Sequence, residues 1–584
     1  MIVAHVTHEA VDKIGGIGAV IAGLTTAEAY DDTVSRTVLL GPLLTTDSPV
    51  NLRLGEGGKV IYSSLDEVDS HPWRERFRPI ERTYEVGIIY GTREIVEPCS
   101  GRKVQAEVLI IDVFRANHDR LNVFKGELFK KFAVPSHDFQ DVWEYEQYVR
   151  LAEPGFEALK AIGCDGAAEQ LVILAHEYMG MPTALKAVLD GNENVRTVFY
   201  AHEVASVRPI VEDTPGHDTM FYNVLHAAES RRKFIEEVFP SVHANYKHPL
   251  VKAAWHCDHI FAVGDYIIRE LRFLDPRFAM VDIDLVYNGI PAFSLTLEEK
   301  LAARQRMRAY AETLLGTRPT WVFSHVARPV RSKGIWRDLR VLHAMEPHLA
   351  DRGQRAVYFM LGTLAGQRRK QDIRQMERAY GWPVAHEEGY PDLCCGEEVV
   401  GAMIRDFNRH HDAIRAVMVN QWDWNPRVCG ARMPDDMTFA DIRCGVDVEF
   451  GLSVYEPFGI SQFEALSFGA LCVVSNVCGC MGFARRAGAA QGDDATVIEG
   501  DFLNVDGDPT DIAWLLDMPI ERRDRIETDE AERLSGLILE RLVDDEQALA
   551  DRIERGYRMA AKMSWEHVIQ EYFLPALSRA SAEA

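Results

Sequence analysis

Glu456 and Glu464 stand eight residues apart in SVYEPFGISQFEALSFGALCVVS, the stretch from Ser453 to Ser475. A short β-type run (Leu452, Val454, Tyr455) stops at Glu456-Pro457-Phe458-Gly459. Ile460, Phe463, Leu466 and Phe468 then fall near helical spacing, and Leu471-Cys472-Val473-Val474 reads as a buried strand. One carboxylate is thereby expected on the loop before a helix and the other in its second turn, so both can face a ligand held over the helix N-terminus. Such a terminus offers unpaired N–H groups and a partial positive charge, which suit a phosphate. The two carboxylates then suit uncharged sugar hydroxyls beside it.

A net charge of −25 means that a chain handling an anionic ligand must concentrate its cations locally. Two loops do so. Near the start, the strand-like run Ile2–Val6 leads into His8 to Gly18, with Lys13, Gly15 and Gly16, and then an apolar helical segment from Ala19 to Leu24. Strand, glycines and helix form a phosphate-cradling order, since glycine permits close backbone approach and Lys13 adds a charge. The second loop follows the strand Thr320–Ser324 and carries Arg328 and Lys333 before Gly334, with helical continuation to Leu342. A charge-assisted hydrogen bond to phosphate contributes roughly 1.5–3 kcal/mol. Two further strand candidates end in His-Glu: Leu171–Ala175 before His176-Glu177, and Val195–Tyr200 before Ala201-His202-Glu203. Ligands of open α/β sheets lie at the carboxyl ends of strands, which makes both tips site positions.

These pieces carry a resemblance. E-P-F-G-I-x-Q-x-E-A-L-x-x-G at Glu456–Gly469 resembles the E-x7-E motif of retaining GT-B glycosyltransferases, nearest the glycogen and starch synthases. K-I-G-G-I at Lys13 is similar to that family's K-x-G-G-L/I loop, and Arg328 with Lys333 matches its R-x4-K-G loop. The segment at His176-Glu177 resembles the family's H-D-W/H-E-W strand end, and His202 the histidine close to the transferred sugar. Asn288-Gly289-Ile290 is similar to the N-G-(I/V)-D turn that ends the first domain. Asn476–Cys480 departs from the pattern: Gly479 keeps its place in the phosphate-cradling T-G-G loop, but Cys478 and Cys480 replace a threonine and a glycine.

The resemblance implies an α/β fold of two Rossmann-like domains facing across a cleft, with a C-terminal helix crossing back to the first domain. Residues 1–295 are the expected first, acceptor-side domain, 296–316 a linker helix, 317–560 the nucleotide-sugar-binding domain, and 561–584 the returning helix, opened by Ser564-Trp565. It further implies a retaining transfer of a hexose, glucose first, from a nucleoside diphosphate sugar to a carbohydrate acceptor such as an α-1,4-glucan. Arg328 and Lys333 would hold the leaving diphosphate with Lys13, Gly15, Gly16 and Gly479, Glu456 the sugar hydroxyls, Glu464 the ribose, and His202 the sugar. His176, Glu177 and Asn288 complete the substrate set. No cofactor and no metal are expected, because the cations do a metal's work. The alternatives are a small acceptor, as in sucrose-type synthases, and a catalytically silent homologue that binds sugar nucleotide or glucan.

At 584 residues the chain exceeds one hydrophobic core, so two domains are expected. Its acidity argues against nucleic acid or an anionic membrane as partner, since no basic surplus neutralises phosphates. The ten cysteines lack paired C-x-x-C spacing, so reduced thiols rather than zinc ligands are expected. No signal-peptide pattern and no bilayer-length apolar stretch opens the chain, which points to a cytoplasmic protein. Residues Asn117 to Glu146 and just beyond are rich in aromatics; Trp143, Tyr145 and Tyr148 could line a carbohydrate groove, with packing the more common role. Arg304, Arg306 and Arg308, on the amphipathic segment Leu297–Leu315, are expected on a solvated face.

Overall fold

The computed structural model describes residues 1–11, 15–55, 57–70, 72–97, 101–492 and 495–582. The chain divides into two compact units. The first comprises Met1–Val207, Arg232–Gly289 and Trp565–Ala584, and the second Arg208–Arg231 and Ile290–Ser564.

In the first unit the described strands are β1 (Ile2–Val6), β2 (Arg36–Pro42), β3 (Lys59–Ser63), β4 (Val68–Asp69), β5 (Gly87–Val96), β6 (Lys103–Asp112), β7 (Leu171–His176), β8 (Val195–Ala201), β9 (His259–Ala262) and β10 (Ile283–Leu285). They form one sheet in the order β10-β9-β8-β7-β1-β2-β6-β5-β3-β4. The run from β10 to β6 is parallel, and β5, β3 and β4 extend it antiparallel. Central parallel strands are covered on both faces, which is why β1 and β7 are buried at every residue and are apolar except at His5 and His176. From β1 the chain passes to β2, out to β3 and β4 at the sheet edge and back through β5 and β6, then restarts at β7 on the other side of β1. The topological switch point therefore lies between β1 and β7, where the carboxyl ends of two neighbouring strands diverge.

The chain's end belongs to this unit. Trp565 fills space that side chains at Gly23 and Gly289 would occupy: a Cβ at those positions would lie 2.1 Å and 2.5 Å from its ring. Further on, Phe573 packs against Tyr30, with ring centroids 5.9 Å apart, and against Phe261 at 6.0 Å.

The second unit contains β11 (Trp321–Val326), β12 (Ala356–Leu361), β13 (Ile414–Val419), β14 (Val448–Gly451), β15 (Leu471–Ser475) and β16 (Val497–Gly500). All pair in parallel, in the order β13-β12-β11-β14-β15-β16. Numbered from its own first strand this is 3-2-1-4-5-6, the doubly wound order, with its switch point between β11 and β14. Helix Ile335–Asp351 and helix Ile520–Arg541 contribute Leu342, Met345, Leu534 and Ile538 to the core on one face. Helix Leu297–Leu315 contributes Met307 and Tyr310 on the other.

Two expectations are corrected, and between the two readings of the aromatic cluster the structure decides. The arginines of helix Leu297–Leu315 are not a solvated face: Arg304 is buried on Asp447 at 2.8 Å, Arg306 binds Asp441 and Arg308 binds the Thr320 carbonyl. The reason is that this helix packs on β11, so its cations meet the carboxylates at the start of β14 and on helix Phe439–Gly445. The aromatic cluster takes the more common of its two roles, packing, at two of its three residues. Tyr145 and Tyr148 lie inside helix Trp143–Ala161 and are fully buried, while Trp143 is exposed and stacks on exposed Phe114 at 5.5 Å. Finally, the strand before Glu456 ends at Gly451, and the helix after it spans only Ile460–Glu464. Among the described residues no helix is long and apolar enough to cross a membrane.

Candidate active site

Two loops meet at the switch point of the second unit. The first follows β11 and carries Arg328 and Lys333; the second follows β14 and carries Glu456. The Ser332 carbonyl accepts the amides of Val454 at 2.9 Å and Tyr455 at 3.1 Å, which ties the loops together. Gly334 is required for that approach. Its φ is +62°, and a Cβ there would lie 2.4 Å from the Leu452 carbonyl oxygen. Buried Arg337 adds a clamp, donating to Glu527 at 2.8 Å and to the carbonyls of Leu452 and Ser453 at 3.5 and 3.4 Å.

The Lys333 ammonium forms an ion pair with Glu456, and both side chains are largely shielded from water. Arg328 is exposed, and among the described residues its guanidinium has no hydrogen-bond or ion-pair partner. One cation is thus held in place by a carboxylate while the other is open to an anion. From helix Arg208–Asp213, Arg208 lies over the Tyr455 ring at 5.4 Å, and Glu212 accepts the Ser332 hydroxyl at 2.6 Å. Glu464, at the end of its short helix, is partly exposed and 3.4 Å from Arg443. Arg443 also holds Glu449 at 2.8 Å. Burial alone would lower its pKa, but the charges of Glu449 and Glu464 outweigh that and raise it.

Two expected phosphate contacts fall differently. A single helical turn from Ile460 to Glu464 is too short to carry the N-terminal charge assigned to it. The Gly479 amide is already bonded to the Glu456 carbonyl at 3.0 Å, and the Cys480 amide to the Phe458 carbonyl at 2.9 Å. Gly479 is needed for packing: a Cβ would lie 1.8 Å from the Pro457 carbonyl oxygen. The cysteines beside it are core, and burial pushes the Cys478 thiol up to about 12.

At the switch point of the first unit, β1 runs out toward Glu9 and β7 ends in His176. Lys13 lies outside the described residues. The Gly15 amide donates to the Glu9 carboxylate at 2.8 Å, as does the Gly18 amide at 3.0 Å. The start of helix Gly16–Thr25 is thus occupied by the chain's own carboxylate, at the place assigned to a phosphate. Glu177 takes the left-handed conformation (φ +59°) at the end of β7, and its carboxylate accepts the Glu203 amide. Asn288 is buried before Gly289.

His176 and His202 come together, and they do not stand alone. His176 Nδ1 and His202 Nε2 are 2.8 Å apart, and His176 Nε2 and His5 Nδ1 are 2.9 Å apart. Beyond them, His5 Nε2 lies 3.1 Å from the Tyr30 hydroxyl, which lies 3.2 Å from Thr37 Oγ1. Burial drives the pKa values of His5 and His202 down to about 3, and that of His176 well below its usual value, with its histidine neighbours adding to the effect. All three are therefore neutral imidazoles at physiological pH.

The sequence reading missed His5, Arg337, Arg443, Glu449, Arg208 and Glu212. A signal existed for two of them. A histidine inside IVAHV and a glutamate inside VEFG are polar residues in fully buried strands, which must find buried partners. Arg443, Arg208 and Glu212 are brought in from distant helices that no spacing announces, and Arg337, just beyond Lys333, finds its partner Glu527 190 positions away.

No protein-family model matches the chain, and no curated protein matches it in sequence. Solved structures do match in fold. The catalytic domain of starch synthase IV from Arabidopsis thaliana, bound to ADP and acarbose, superposes with a TM-score of 0.52 at 13% identity over 100% of both chains. The N-terminal domain of Candida albicans trehalose-6-phosphate phosphatase gives 0.50 at 10% identity, over 99% of this chain and 96% of that one. At such identities the likeness is one of fold: this chain has the GT-B fold, two Rossmann-like α/β domains with its last helices returned to the first.

Proposed function

We propose that the protein is a retaining glycosyltransferase that moves a hexose, glucose first, from a nucleoside diphosphate sugar to an acceptor hydroxyl. The observation that supports this best is the meeting of the Arg328–Lys333 loop with the Glu456 loop at the switch point of a 3-2-1-4-5-6 sheet. Cleaving the donor leaves negative charge on the diphosphate, and cations already oriented there stabilise the transition state without reorganising. Open Arg328 would receive the diphosphate first. Lys333 would then exchange part of its contact with Glu456 for the phosphate, leaving Glu456 to accept hydroxyls of the sugar. Glu464, steadied by Arg443, would take the ribose, and His202 a hydroxyl of the transferred sugar. Departure of the diphosphate and attack on the same face proceed through an oxocarbenium-like state, as the family resemblance implies. Incubation with a panel of nucleotide sugars, following released nucleotide with and without glycogen, tests the reading; no release from any donor sinks it.

A glucan acceptor fits the resemblance to glycogen and starch synthases. A small sugar or sugar phosphate is the second reading, and one observation favours it. Two of the three aromatics available to grip a polymer, Tyr145 and Tyr148, are spent in the core.

A further inference from the structure

Thr37, His5, His176 and His202 lie on four adjacent strands or strand ends, β2, β1, β7 and β8. Register explains why they touch. His5 is opposite Leu39 on one side and Leu174 on the other, so Thr37 stands two residues behind it and His176 two residues ahead on the same face. His176 is opposite Tyr200, and His202 follows two residues on. Each step crosses one strand and advances two residues, and the line ends at the carboxyl tip of β8. Tyr30, from helix Glu28–Thr33, closes the gap between Thr37 and His5. The His176 and His202 rings are within 5° of parallel, and Tyr200 stacks on His202 at 4.4 Å.

A neutral imidazole carries one N–H and one bare nitrogen. Each His–His contact therefore holds a single proton, and choosing its side at one contact fixes it at the next. The line has only two arrangements. In one, Tyr30 donates to His5 Nε2, His5 Nδ1–H to His176 Nε2, and His176 Nδ1–H to His202 Nε2, so His202 Nδ1 carries a proton outward. In the other every bond is reversed, and Nδ1 is bare. A phenol is a stronger acid than a neutral imidazole N–H, and an imidazole nitrogen is a better base than a phenol oxygen, which favours the first.

We propose that Tyr30 and Thr37, acting through His5 and His176, are positioning residues that hold His202 with its Nδ1 proton outward, as a donor to a sugar hydroxyl. This rests on the reading of His202 as a sugar-binding residue. The charged and titratable groups facing the line are Glu203 beside His202, Glu177 bonded to the Glu203 amide, His8 near His176, and Asp31 next to Tyr30. None interrupts the chain of bonds.

The test is 15N NMR of the full-length protein labelled at histidine, with single His→Gln variants for assignment. Three neutral Nδ1–H signals are expected, unchanged between about pH 5 and 8, the range in which an ordinary histidine titrates. Tyr30→Phe keeps the ring and removes the donor. It should move the His202 signal toward Nε2–H and lower kcat/KM about tenfold, the value of one hydrogen bond to the sugar. Nε2–H signals in the wild type, a charged His176 at pH 6, or wild-type kinetics in Tyr30→Phe would each overturn the proposal. A fully active His202→Gln with the Nδ1–H pattern intact would remove the sugar-binding role alone, which separates that failure from failure of the relay.

Discussion

Lys333 shows how one residue can be legible in type and opaque in partnership. Its place before Gly334 is what, through the resemblance, suggests a phosphate ligand, but the ion pair with Glu456 joins residues 123 positions apart. Lys333→Ala is expected to lower kcat by about 10²–10³ while donor KM changes little, because the charge it meets grows in the transition state. Steady-state kinetics decide this, and a variant within threefold of wild type would count against the role. His5 and His176 give a second residue-scale expectation. Both are fully buried with depressed values, His5 at about 3 against 6.5 in the unfolded chain. As pH falls below 6.5 the unfolded state takes up protons that the folded state refuses, so stability rises with pH in that window and is lost on acidification. Each site can cost up to about 1.4 kcal/mol per pH unit below the unfolded value. Urea midpoints should fall steeply between about pH 6 and 4 and less steeply in His5→Gln; identical slopes would mean that His5 is not a buried neutral group.

Loops and helices translate residue type into placement, and here glycine does the translating at two positions. Gly334 lets the Lys333 loop reach Leu452, and Gly479 lets helix Gly479–Ala487 start against Pro457. The resemblance placed Gly479 among phosphate ligands. The sequence could not reveal that its amide is used by Glu456, since that bond depends on how two loops stack. Gly479→Ala should therefore act through shape. Overpacking of this kind costs about 1–3 kcal/mol and should displace the Glu456 loop, lowering both Tm and kcat. Unchanged melting with unchanged kinetics would show that the loop has slack. Helix Trp143–Ala161 separates two fates that its sequence merged. Tyr145→Ala removes a buried ring bonded to Ser136 at 2.7 Å, and should cost about 3–5 kcal/mol of stability. Trp143→Ala opens a surface stack with Phe114 and takes away the ring under the Arg150 guanidinium. If a glucan is the acceptor and rests on that pair, Trp143→Ala weakens glycogen binding and leaves donor affinity alone; equal glycogen titrations for variant and wild type would remove the platform.

At the scale of the whole chain, length alone led to the expectation of two domains, and the resemblance carried by the motifs implied that both are Rossmann-like. What could not be anticipated is that a segment from the middle of the first unit's sequence changes units; a return of the chain's end was already implied by the resemblance. Arg208–Arg231 leaves the first unit's sequence to join the second, and Trp565–Ala584 returns to the first. The returning segment carries the last prediction. Trp565 occupies the volume opened by Gly23 and Gly289, residues separated by most of the first unit's sequence. Beyond it Phe573 covers Tyr30 at one edge of the histidine line and approaches Tyr200, with ring centroids 6.5 Å apart, at the other. Removing the chain from Trp565 onward should thus do more than shorten it: the face that keeps His5 and His176 dry would meet water, and their reason for staying neutral would go. Trp565→Ala is the milder version, leaving a cavity worth about 3–5 kcal/mol. The expected outcome is a lowered Tm together with histidine signals that now titrate near their ordinary pH. Should Trp565→Ala melt early while His5 and His176 stay neutral to about pH 5, the returning helix would be a fastening for the first unit and not a lid on the line of histidines.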